Sequence, residues 1–376
     1  MKRWKKTILP LIIVFALLAG IVGYDVYCNT SHPKNGSAGV IDLSPDTRTA
    51  GYGGALPPDR YGLWPTEDFT LGTPESQGIR AGQLDFRLNL SKKTTDSFAV
   101  LRRGELVYEK YYGDMDCDTP HYLASVTKAF ISVLTGIAVK EGYIQSADQK
   151  VLDFYPEAQI APGDEAKRDM TVEHLLTMTC GLEDTWYGDG DDPTAWWNAA
   201  DSGLSVIEQP LEAKPGDIYR YSGACYQLLG GVIARATGKS VQDYAQEVLF
   251  APMGITTAQW DCAEDGSPFA AGGLSLSTRD MLRFGYLLLC EGRWEEQEII
   301  PADWIAQSRA RNQKPNGVGR MLWNNRWNLL LDCYECRGAD GQFICIFPTL
   351  DMVVVRTGQD DHNYRLPLSL VKLWAR

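Results

Sequence analysis

Two apolar stretches separated by a short polar turn open the folded part of the chain. Residues 97–101 and 105–112 are rich in aliphatic, β-branched and aromatic side chains, and the turn between them ends in Gly104. Strands favour such side chains, and glycine supplies the backbone freedom that a tight turn requires. The pattern predicts a β-hairpin.

Helical periodicity begins directly after Ser125. The apolar residues of this stretch share one helical face, namely Phe130, Val133, Leu134, Ile137 and Ala138. Gly142 follows as a stop signal, so the segment predicts a helix with one buried side. Further helical patterns occupy residues 81–90, 171–182 and 227–237.

Strand patterns return late in the chain, over residues 342–348 and 352–357, and a helical pattern covers residues 366–374. Strands at both ends of a mainly helical middle predict an α+β fold. We expect one antiparallel sheet, assembled from distant parts of the chain and flanked by helices, with an inserted, mainly helical lobe. A site is expected in the crevice between the two lobes.

The N-terminus has the pattern of a membrane-targeting segment. Basic residues within the first six positions precede an uncharged apolar run over residues 7–24, which places the rest of the chain outside the cytoplasm. No Ala-x-Ala cleavage site comes after the run, and this favours an uncleaved signal anchor over a cleaved signal peptide, which would give a secreted protein. We expect a transmembrane anchor over residues 1–24, a flexible Gly- and Pro-rich linker over 25–61 and one domain over 62–376.

Charge and cysteine content exclude some classes of partner. The 376-residue chain has a formal net charge of −12, which repels phosphate backbones, so no nucleic-acid partner is expected. Its nine cysteines are too dispersed for a disulfide scaffold. Only Cys333 and Cys336 lie close together, and no second pair accompanies them, so no metal site is predicted. Most cysteines are expected to be small buried hydrophobic side chains, with room for one disulfide.

Ser125 and Lys128 are the first candidates for chemistry, because residues three apart share a helix face. A serine hydroxyl needs a neighbour to take its proton, and a partly buried lysine can be neutral enough to do so. The same spacing also arises by chance, with the serine capping a helix and the lysine in solvent. The sequence contains neither a Gly-x-Ser-x-Gly elbow nor a His-Glu-x-x-His motif, and nothing positions its four histidines in a Ser-His-Asp triad.

Five segments together resemble the serine β-lactamase family in their order and spacing. They read HYLASVTKAF, TVEHLLTMTCGL, YRYSGACYQLLGGVIARATG, FAAGGLSLSTRDMLRFGYLLL, and CRGADGQFICIFP followed by MVVVRTG. The last motif contains Gly-x-x-Gly-Gln without a lysine, as in class C-like esterases and 6-aminohexanoate-dimer hydrolases. The resemblance implies a β-lactamase/transpeptidase-like fold and a reaction that needs no metal or organic cofactor.

The resemblance also implies roles for individual residues. Ser125 matches the nucleophile, Lys128 its basic partner, and Tyr221 the tyrosine that passes a proton to the leaving group. A tyrosine suits that role if the nearby ammonium lowers its pKa. The backbone N–H groups of Ser125 and Ala339 would form the oxyanion hole, worth about 3 kcal/mol per donor in other enzymes.

Three positions depart from the family pattern. Gly223 stands where the tyrosine motif carries an asparagine that helps to hold the substrate amide and the lysine. Cys336 replaces the lysine that pairs with a substrate carboxylate, which weakens recognition of penicillins and peptide C-termini. Asp340 is expected to line the substrate together with Gly338 and Gly341. Its carboxylate would repel an anionic substrate and favour a neutral or amine-bearing one.

Aromatic and acidic side chains alternate between the second and third segments. The aromatic residues are Trp186, Tyr187, Trp196 and Trp197, and the acidic ones are Asp184, Asp189, Asp191 and Asp192. One hypothesis is a lid in which Trp186 and Tyr187 bind substrate. A plain solvated loop and a calcium-binding loop are the alternatives.

The sequence therefore predicts an extracytoplasmic serine hydrolase that cleaves a small-molecule or peptide-like ester or amide through an acyl-Ser125 intermediate. One alternative is a D-alanyl carboxypeptidase or β-lactamase, and another is a non-catalytic binding or sensor domain. The sequence alone leaves open whether Lys128 or Tyr221 is the base, because the two would titrate as a coupled pair.

Overall fold

The computed structural model describes residues 62–183, 199–309, 320, 323–324 and 332–359. Its strands are β1 (Thr70–Leu71), β2 (Thr95–Arg102), β3 (Glu105–Tyr111), β4 (His121–Tyr122), β5 (Gln259–Trp260), β6 (Leu274–Leu276), β7 (Arg293–Trp294), β8 (Gln297–Glu298), β9 (Trp323–Asn324), β10 (Tyr334–Gly338), β11 (Gln342–Phe347) and β12 (Met352–Gly358). Its α-helices are α1 (Ala81–Leu90), α2 (Thr127–Lys140), α3 (Val172–Leu176), α4 (Ser202–Ile207), α5 (Gly223–Thr237), α6 (Val241–Ala245), α7 (Thr278–Leu289) and α8 (Ala302–Arg309).

A seven-stranded sheet forms the centre of the fold, with the strand order β1-β3-β2-β12-β11-β10-β9. Neighbouring strands are antiparallel except for β1, which runs parallel to β3. The early strand β2 pairs with the late strand β12, and Val100 lies opposite Val354. This pairing confirms the prediction of one sheet built from distant parts of the chain.

Both faces of the central strands are buried, which explains why they are almost continuously apolar. Successive side chains of a strand point to opposite faces. Accordingly, Val353 and Val355 of β12 belong to the main core, whereas Met352 and Val354 pack in a second cluster with Leu84 of α1. Burying each such side chain stabilises the fold by about 1.5–3 kcal/mol relative to exposing it.

Helix α7 covers the main-core face of the sheet at unusually close range. A Cβ atom built on Gly285 would lie 2.4 Å from Val353 Cγ1 and 2.8 Å from Ile344 Cγ2. A glycine is therefore required at this contact. The close packing fixes α7, and with it the preceding strand β6, relative to the sheet.

The predicted helical lobe is present between β3 and β10. It contains α2 to α6 and a small sheet in the order β4-β6-β5. Local signals placed several ends correctly: Thr171 caps α3 through its side chain, and Gly238 ends α5 with a φ of 70°. Helix α5 begins at Gly223, four residues earlier than predicted, because Ser222 supplies the cap.

Several predictions concern residues outside the described ranges. These are the anchor and linker over residues 1–61, the aromatic segment with Trp186 and Tyr187, and the C-terminal helix over residues 366–374. Among the residues that the structure does describe, no helix combines the length and apolar character needed to cross a membrane.

Candidate active site

The candidate nucleophile lies on a strained turn. Ser125 is in the 3₁₀ turn Ala124–Val126, between β4 and the start of α2 at Thr127. Helix α2 therefore starts two residues after Ser125, in agreement with the helical periodicity predicted to follow this serine. Ala124 has a φ of 47°, a left-handed conformation that costs a non-glycine residue on the order of 1–3 kcal/mol. This conformation redirects the chain, and Ser125 keeps partial solvent exposure between buried neighbours.

Lys128 is buried beneath the nucleophile and is only 3% exposed. Its Nζ donates to Ser125 Oγ at 3.0 Å and to the backbone carbonyl of Ala271 at 2.5 Å. It also lies 5.2 Å from the centroid of the Tyr221 ring. Burial of a charge is costly unless nearby groups compensate it, so these contacts fix the amine against the serine.

Hydrogen bonds at Leu274, three residues after Ala271, fix this segment beside Lys128. The N–H of Leu123 donates to the carbonyl of Leu274 at 2.9 Å, and the N–H of Leu274 donates to Thr127 Oγ1 at 3.2 Å. Strand β6 is thus attached to both sides of the turn Ala124–Val126, which carries the candidate nucleophile and is called the nucleophile turn below. This attachment brings the segment before β6, including Ala271, next to Lys128.

Tyr221 stands directly before α5, whose first turn is capped by the side chain of Ser222. Burial raises the pKa of Tyr221 to about 12, and a hydrogen bond with the Ser125 side chain lowers it in part. The condition that a nearby ammonium lowers this pKa is not met, because loss of hydration dominates at this position. Tyr221 is therefore a neutral hydroxyl group at physiological pH.

Neighbouring tyrosines have structural positions. Tyr226 is fully buried, and its hydroxyl donates to the carbonyl of Leu176 at 2.9 Å. Tyr219 is partly buried against the main core. Tyr226 is therefore a tyrosine of the core, whereas Tyr221 hydrogen-bonds with the side chain of Ser125.

The end of β10 closes the site on the other side. A Cβ atom built on Gly338 would lie 2.3 Å from the carbonyl oxygen of Leu123 and 3.2 Å from Ala124 Cβ. Only a glycine allows β10 to come this close to the nucleophile turn. The following 3₁₀ turn, Ala339–Gly341, is consequently adjacent to the turn that carries Ser125.

Two buried side chains, Arg356 and Gln342, fix the 3₁₀ turn Ala339–Gly341 and the strand that follows it. The guanidinium of Arg356 is fully buried and donates to the carbonyls of Gly341 and Thr94, each at 2.7 Å. Gln342 exchanges hydrogen bonds with the backbone of Gly358, with its Nε2 donating to the carbonyl at 2.7 Å. Gln342 is therefore an anchor within the sheet, and Arg356 fixes the turn that contains Asp340.

The sequence departures alter the electrostatics around the third motif. Cys336 is 1% exposed, and burial raises the pKa of its thiol, so it supplies no cation where relatives carry a lysine. The guanidinium of Arg337 forms an ion pair with the buried carboxylate of Glu335. Burial together with the charges of Asp261 and Asp340 raises the pKa of Tyr122, whose ring is partly exposed. Negative charge therefore lies close to the site.

Sequence reasoning missed two groups of this site. Ala271 acts through its carbonyl oxygen, and a backbone acceptor leaves no side-chain signal. Arg356 did leave a signal, because it is the one charged residue of an otherwise apolar or neutral strand. Trp186 and Tyr187, predicted to bind substrate, lie outside the described residues. Within the described part of the chain, no group of three or more His, Cys, Asp or Glu side chains could hold a metal ion.

Comparison with known proteins agrees with this geometry. The family model described as Beta-lactamase matches residues 91–368. A 6-aminohexanoate-dimer hydrolase of Paenarthrobacter ureafaciens is 25% identical over 320 residues, which cover 76% of this chain and 79% of that protein. Esterase EstB of Burkholderia gladioli is 28% identical over 185 residues, or 44% of this chain and less than half of the esterase, at 46%. The solved class C beta lactamase of Rhodobacter sphaeroides superposes with a TM-score of 0.60 at 18% identity and covers 78% of this chain and 98% of that one.

Replacement of Gly338 tests the contact between the two turns. In Gly338→Ala the new Cβ would overlap the Leu123 carbonyl, so the nucleophile turn must move. We expect Ser125 to react with a serine-directed fluorophosphonate probe at least about tenfold more slowly, because small displacements of reacting groups cost large rate factors. Gly82→Ala is the matched control, since a Cβ there meets nothing within 4 Å. An unchanged labelling rate in Gly338→Ala would show that the contact does not position Ser125.

The raised pKa of Tyr221 predicts a pH dependence of stability. The unfolded chain loses the phenol proton near pH 10 and the folded chain near pH 12, so this contribution is complete below pH 10 and is lost as pH rises toward 12. The free energy of urea unfolding of the wild type, relative to Tyr221→Phe, should fall by about 1 kcal/mol between pH 10 and 11. Tyr143→Phe removes a hydroxyl from an exposed ring and serves as the control. A constant difference between wild type and Tyr221→Phe would contradict the assigned pKa.

Proposed function

The chain belongs to the Beta-lactamase family, and we propose that it is a serine hydrolase of esters or amides that acts through an acyl-Ser125 intermediate. The observation that carries the proposal is the contact of one serine hydroxyl with both a buried amine and a neutral phenol. Lys128 Nζ lies 3.0 Å from Ser125 Oγ, and Tyr221 hydrogen-bonds to the same side chain. The curated relatives include a dimer hydrolase and an esterase, which act on bonds of these two classes.

In the proposed first step, Ser125 Oγ attacks the substrate carbonyl and its proton moves to Lys128 in the amine form. The pKa of Tyr221 supports Lys128 as the base. With that pKa at about 12, only about one molecule in 10⁵ has a phenolate at pH 7. Tyr221 instead passes the proton of its neutral hydroxyl to the leaving oxygen or nitrogen, and the Lys128 ammonium returns a proton to the phenolate. Water then attacks the acyl-Ser125 ester, one of its protons passes by way of Lys128 to Ser125 Oγ, and the acid is released.

The oxyanion hole is proposed to consist of the N–H groups of Ser125 and Ala339. The close contact of Gly338 with Leu123 and Ala124 supports this pairing, because it brings the two turns together. Arg356 holds the carbonyl of Gly341 and so stabilises the orientation of the second turn. Fixed donors of this kind act where negative charge develops in the transition state.

The substrate is proposed to be neutral or amine-bearing. Cys336 provides a buried neutral thiol where a lysine would pair with a substrate carboxylate. Asp340 and Asp261 add negative charge near the partly exposed Tyr122. An anionic substrate would meet this negative charge, while the nearby guanidinium of Arg337 is already paired with the carboxylate of Glu335. These features disfavour penicillins and D-alanyl peptide C-termini as substrates.

We also propose that the catalytic domain lies outside the cytoplasm, tethered by residues 1–24. The basic cluster before the apolar run over residues 7–24 supports this orientation. An extracytoplasmic position suits a hydrolase of small molecules that is not coupled to a soluble cofactor.

The enzymatic proposal is tested with the full-length chain, purified in mild detergent, and its Ser125→Ala variant. We expect the wild type to hydrolyse p-nitrophenyl acetate and butyrate. We also expect a higher kcat/KM for an ω-amino ester than for a carboxylate-bearing ester. Ser125→Ala should lose at least about a thousandfold in kcat, because the nucleophile is absent. Intact mass spectrometry should detect an acyl adduct on the wild type only.

Other outcomes would favour the alternatives. Faster turnover of nitrocefin or a D-alanyl-D-alanine peptide than of every ester and amide would indicate a penicillin-interacting enzyme. An adduct without turnover would indicate a sensor, and neither adduct nor turnover would contradict the nucleophile assignment. Asp340→Asn removes the charge and keeps the shape of the side chain. In this variant the ratio of kcat/KM for the ω-amino ester to kcat/KM for the carboxylate-bearing ester should fall. Asp148→Asn changes an exposed surface carboxylate and should leave that ratio unchanged.

The proposed topology predicts the behaviour of a C-terminal alkaline phosphatase fusion, which is active only outside the cytoplasm. In a bacterial host, fusion to the full-length chain should give activity in the membrane fraction. Deletion of residues 1–24 should abolish that activity while the protein is still made. Phosphatase activity that is absent from the full-length fusion would contradict the proposed orientation.

A further inference from the structure

Two cysteines that are far apart in the sequence meet beside the tyrosine turn. Cys180 Sγ and Cys225 Sγ are 2.6 Å apart, and the side chains are 3% and 0% exposed, respectively. Heavy atoms that merely touch are about 3.5–4.0 Å apart. The two thiols are therefore directed at each other more closely than ordinary packing requires.

Both cysteines belong to segments that hold Tyr221. On one side, Cys225 is in the first turn of α5, where its N–H donates to Ser222 Oγ at 3.1 Å. On the other side, Met178 accepts from both neighbours of Tyr221: the N–H of Arg220 donates to its carbonyl at 3.1 Å, and the N–H of Ser222 approaches its sulfur at 3.4 Å. The segment after α3 and the start of α5 thus run side by side, with Tyr221 between their attachment points.

The segment that contains Cys180 is itself tightly fixed. Gly181 follows with a φ of 73°, and its carbonyl accepts hydrogen bonds from the N–H groups of Glu212 and Ala213. A Cβ atom at Gly181 would lie 2.2 Å from the carbonyl of Ala213. Cys180 therefore has little freedom to move away from Cys225.

We propose that Cys180 and Cys225 form a disulfide that fastens the Tyr221 turn to the segment after α3. Each thiol loses one proton and one electron, and a sulfur–sulfur bond forms. The oxidant is a disulfide-containing compound or oxidoreductase, which takes up both electrons and both protons and leaves as two thiols. The bond closes a loop that includes residues 184–198, and oxidising conditions outside the cytoplasm would preserve it.

The remaining thiols of the core have other contacts. Cys345 and Cys333 hydrogen-bond with each other through their side chains. Cys345 Sγ also donates to Glu335 Oε2 at 3.5 Å, and Cys333 Sγ approaches the carbonyl of Tyr334 at 3.7 Å. Cys336 pairs across the sheet with Ile344 and so faces the opposite side from Cys345, and it serves as an internal control for chemical modification.

The direct test is peptide mapping of the full-length protein. The chain is purified in mild detergent, equilibrated with reduced and oxidised glutathione, denatured, alkylated and digested. We expect one cross-linked peptide pair that joins Cys180 to Cys225, about 2 Da lighter than the two reduced peptides, and alkylation of the other seven of the nine cysteines. With reductant added before alkylation, all nine should be modified. Alkylation of both Cys180 and Cys225 without reductant would overturn the proposal, as would a cross-link that joins either of them to a different cysteine.

The second test compares the variants Cys180→Ala, Cys225→Ala and the double variant. We expect each to lower Tm by roughly 5–10 °C relative to the oxidised wild type, because the loop constraint on the unfolded chain is lost. The double variant should fall no further than the single ones, and only the wild type should respond to reductant. Cys290→Ala is the control, because Cys290 is a partly buried cysteine far in sequence from both Cys180 and Cys225. Its Tm should be close to that of the wild type. If the decreases in Tm of the two single variants add in the double variant, and reductant does not lower the Tm of the wild type, the cysteines contribute only by packing. That result would overturn the proposed disulfide.

A disulfide that positions Tyr221 should also affect turnover, and this expectation rests on the proposed function. An experiment on turnover can fail while the disulfide itself is present, and the two results are distinguishable. With the ω-amino ester of an alkyl alcohol, whose leaving alkoxide needs a proton, loss of the bond should lower kcat at least about threefold and leave KM nearly unchanged, since Tyr221 acts on the leaving group and not on binding. The p-nitrophenyl esters should respond less, because p-nitrophenolate leaves without a proton. Unchanged kcat in all variants would overturn the positioning role of the bond. If the wild type has no turnover, peptide mapping and melting still decide whether the bond exists. If an alanine variant does not fold, the reduced wild type supplies the same comparison.

Discussion

A lysine amine buried beneath a serine hydroxyl is the constraint on which the rest of this site depends. At 3% exposure, Lys128 has lost most of its hydration, and hydrogen bonds from its amine to Ser125 Oγ and to the Ala271 carbonyl offset part of that loss. Each of those acceptors must be held in turn. Ser125 is held by the strained turn at Ala124, and Ala271 by the attachment of β6 to the nucleophile turn.

The sheet explains how these groups come together from distant parts of the chain. Strand β2 pairs with β12, and β10 ends against the nucleophile turn at Gly338. Helix α7 approaches the sheet at the range that only Gly285 permits, and it carries β6 with it. The helical lobe adds Tyr221 from the start of α5. The site is therefore formed by contacts between segments and cannot exist in any one of them.

The third motif differs from the family pattern while the contact between Lys128 and Ser125 is kept. Cys336 fills the lysine position of that pattern with a buried thiol, and the Gln342 side chain hydrogen-bonds within the sheet. Arg356 holds the Ala339–Gly341 turn through the carbonyl of Gly341. Under the proposed function, activation of the serine and recognition of the substrate therefore depend on different residues, so recognition can change on its own.

Local patterns in the sequence determined much of the fold. The hairpin, the helix after Ser125, the late strands and the caps at Thr171 and Gly238 follow from periodicity and backbone preferences, which act over a few residues. The motif order also predicted Ser125, Lys128 and Tyr221 as site residues, and the structure brings these three side chains together. Tertiary structure alone decided that the Ala271 carbonyl accepts from Lys128, that the pKa of Tyr221 is raised, and that Cys180 meets Cys225. Hydration, burial and contact between distant segments set these features, and none of them is a property of a local stretch of sequence.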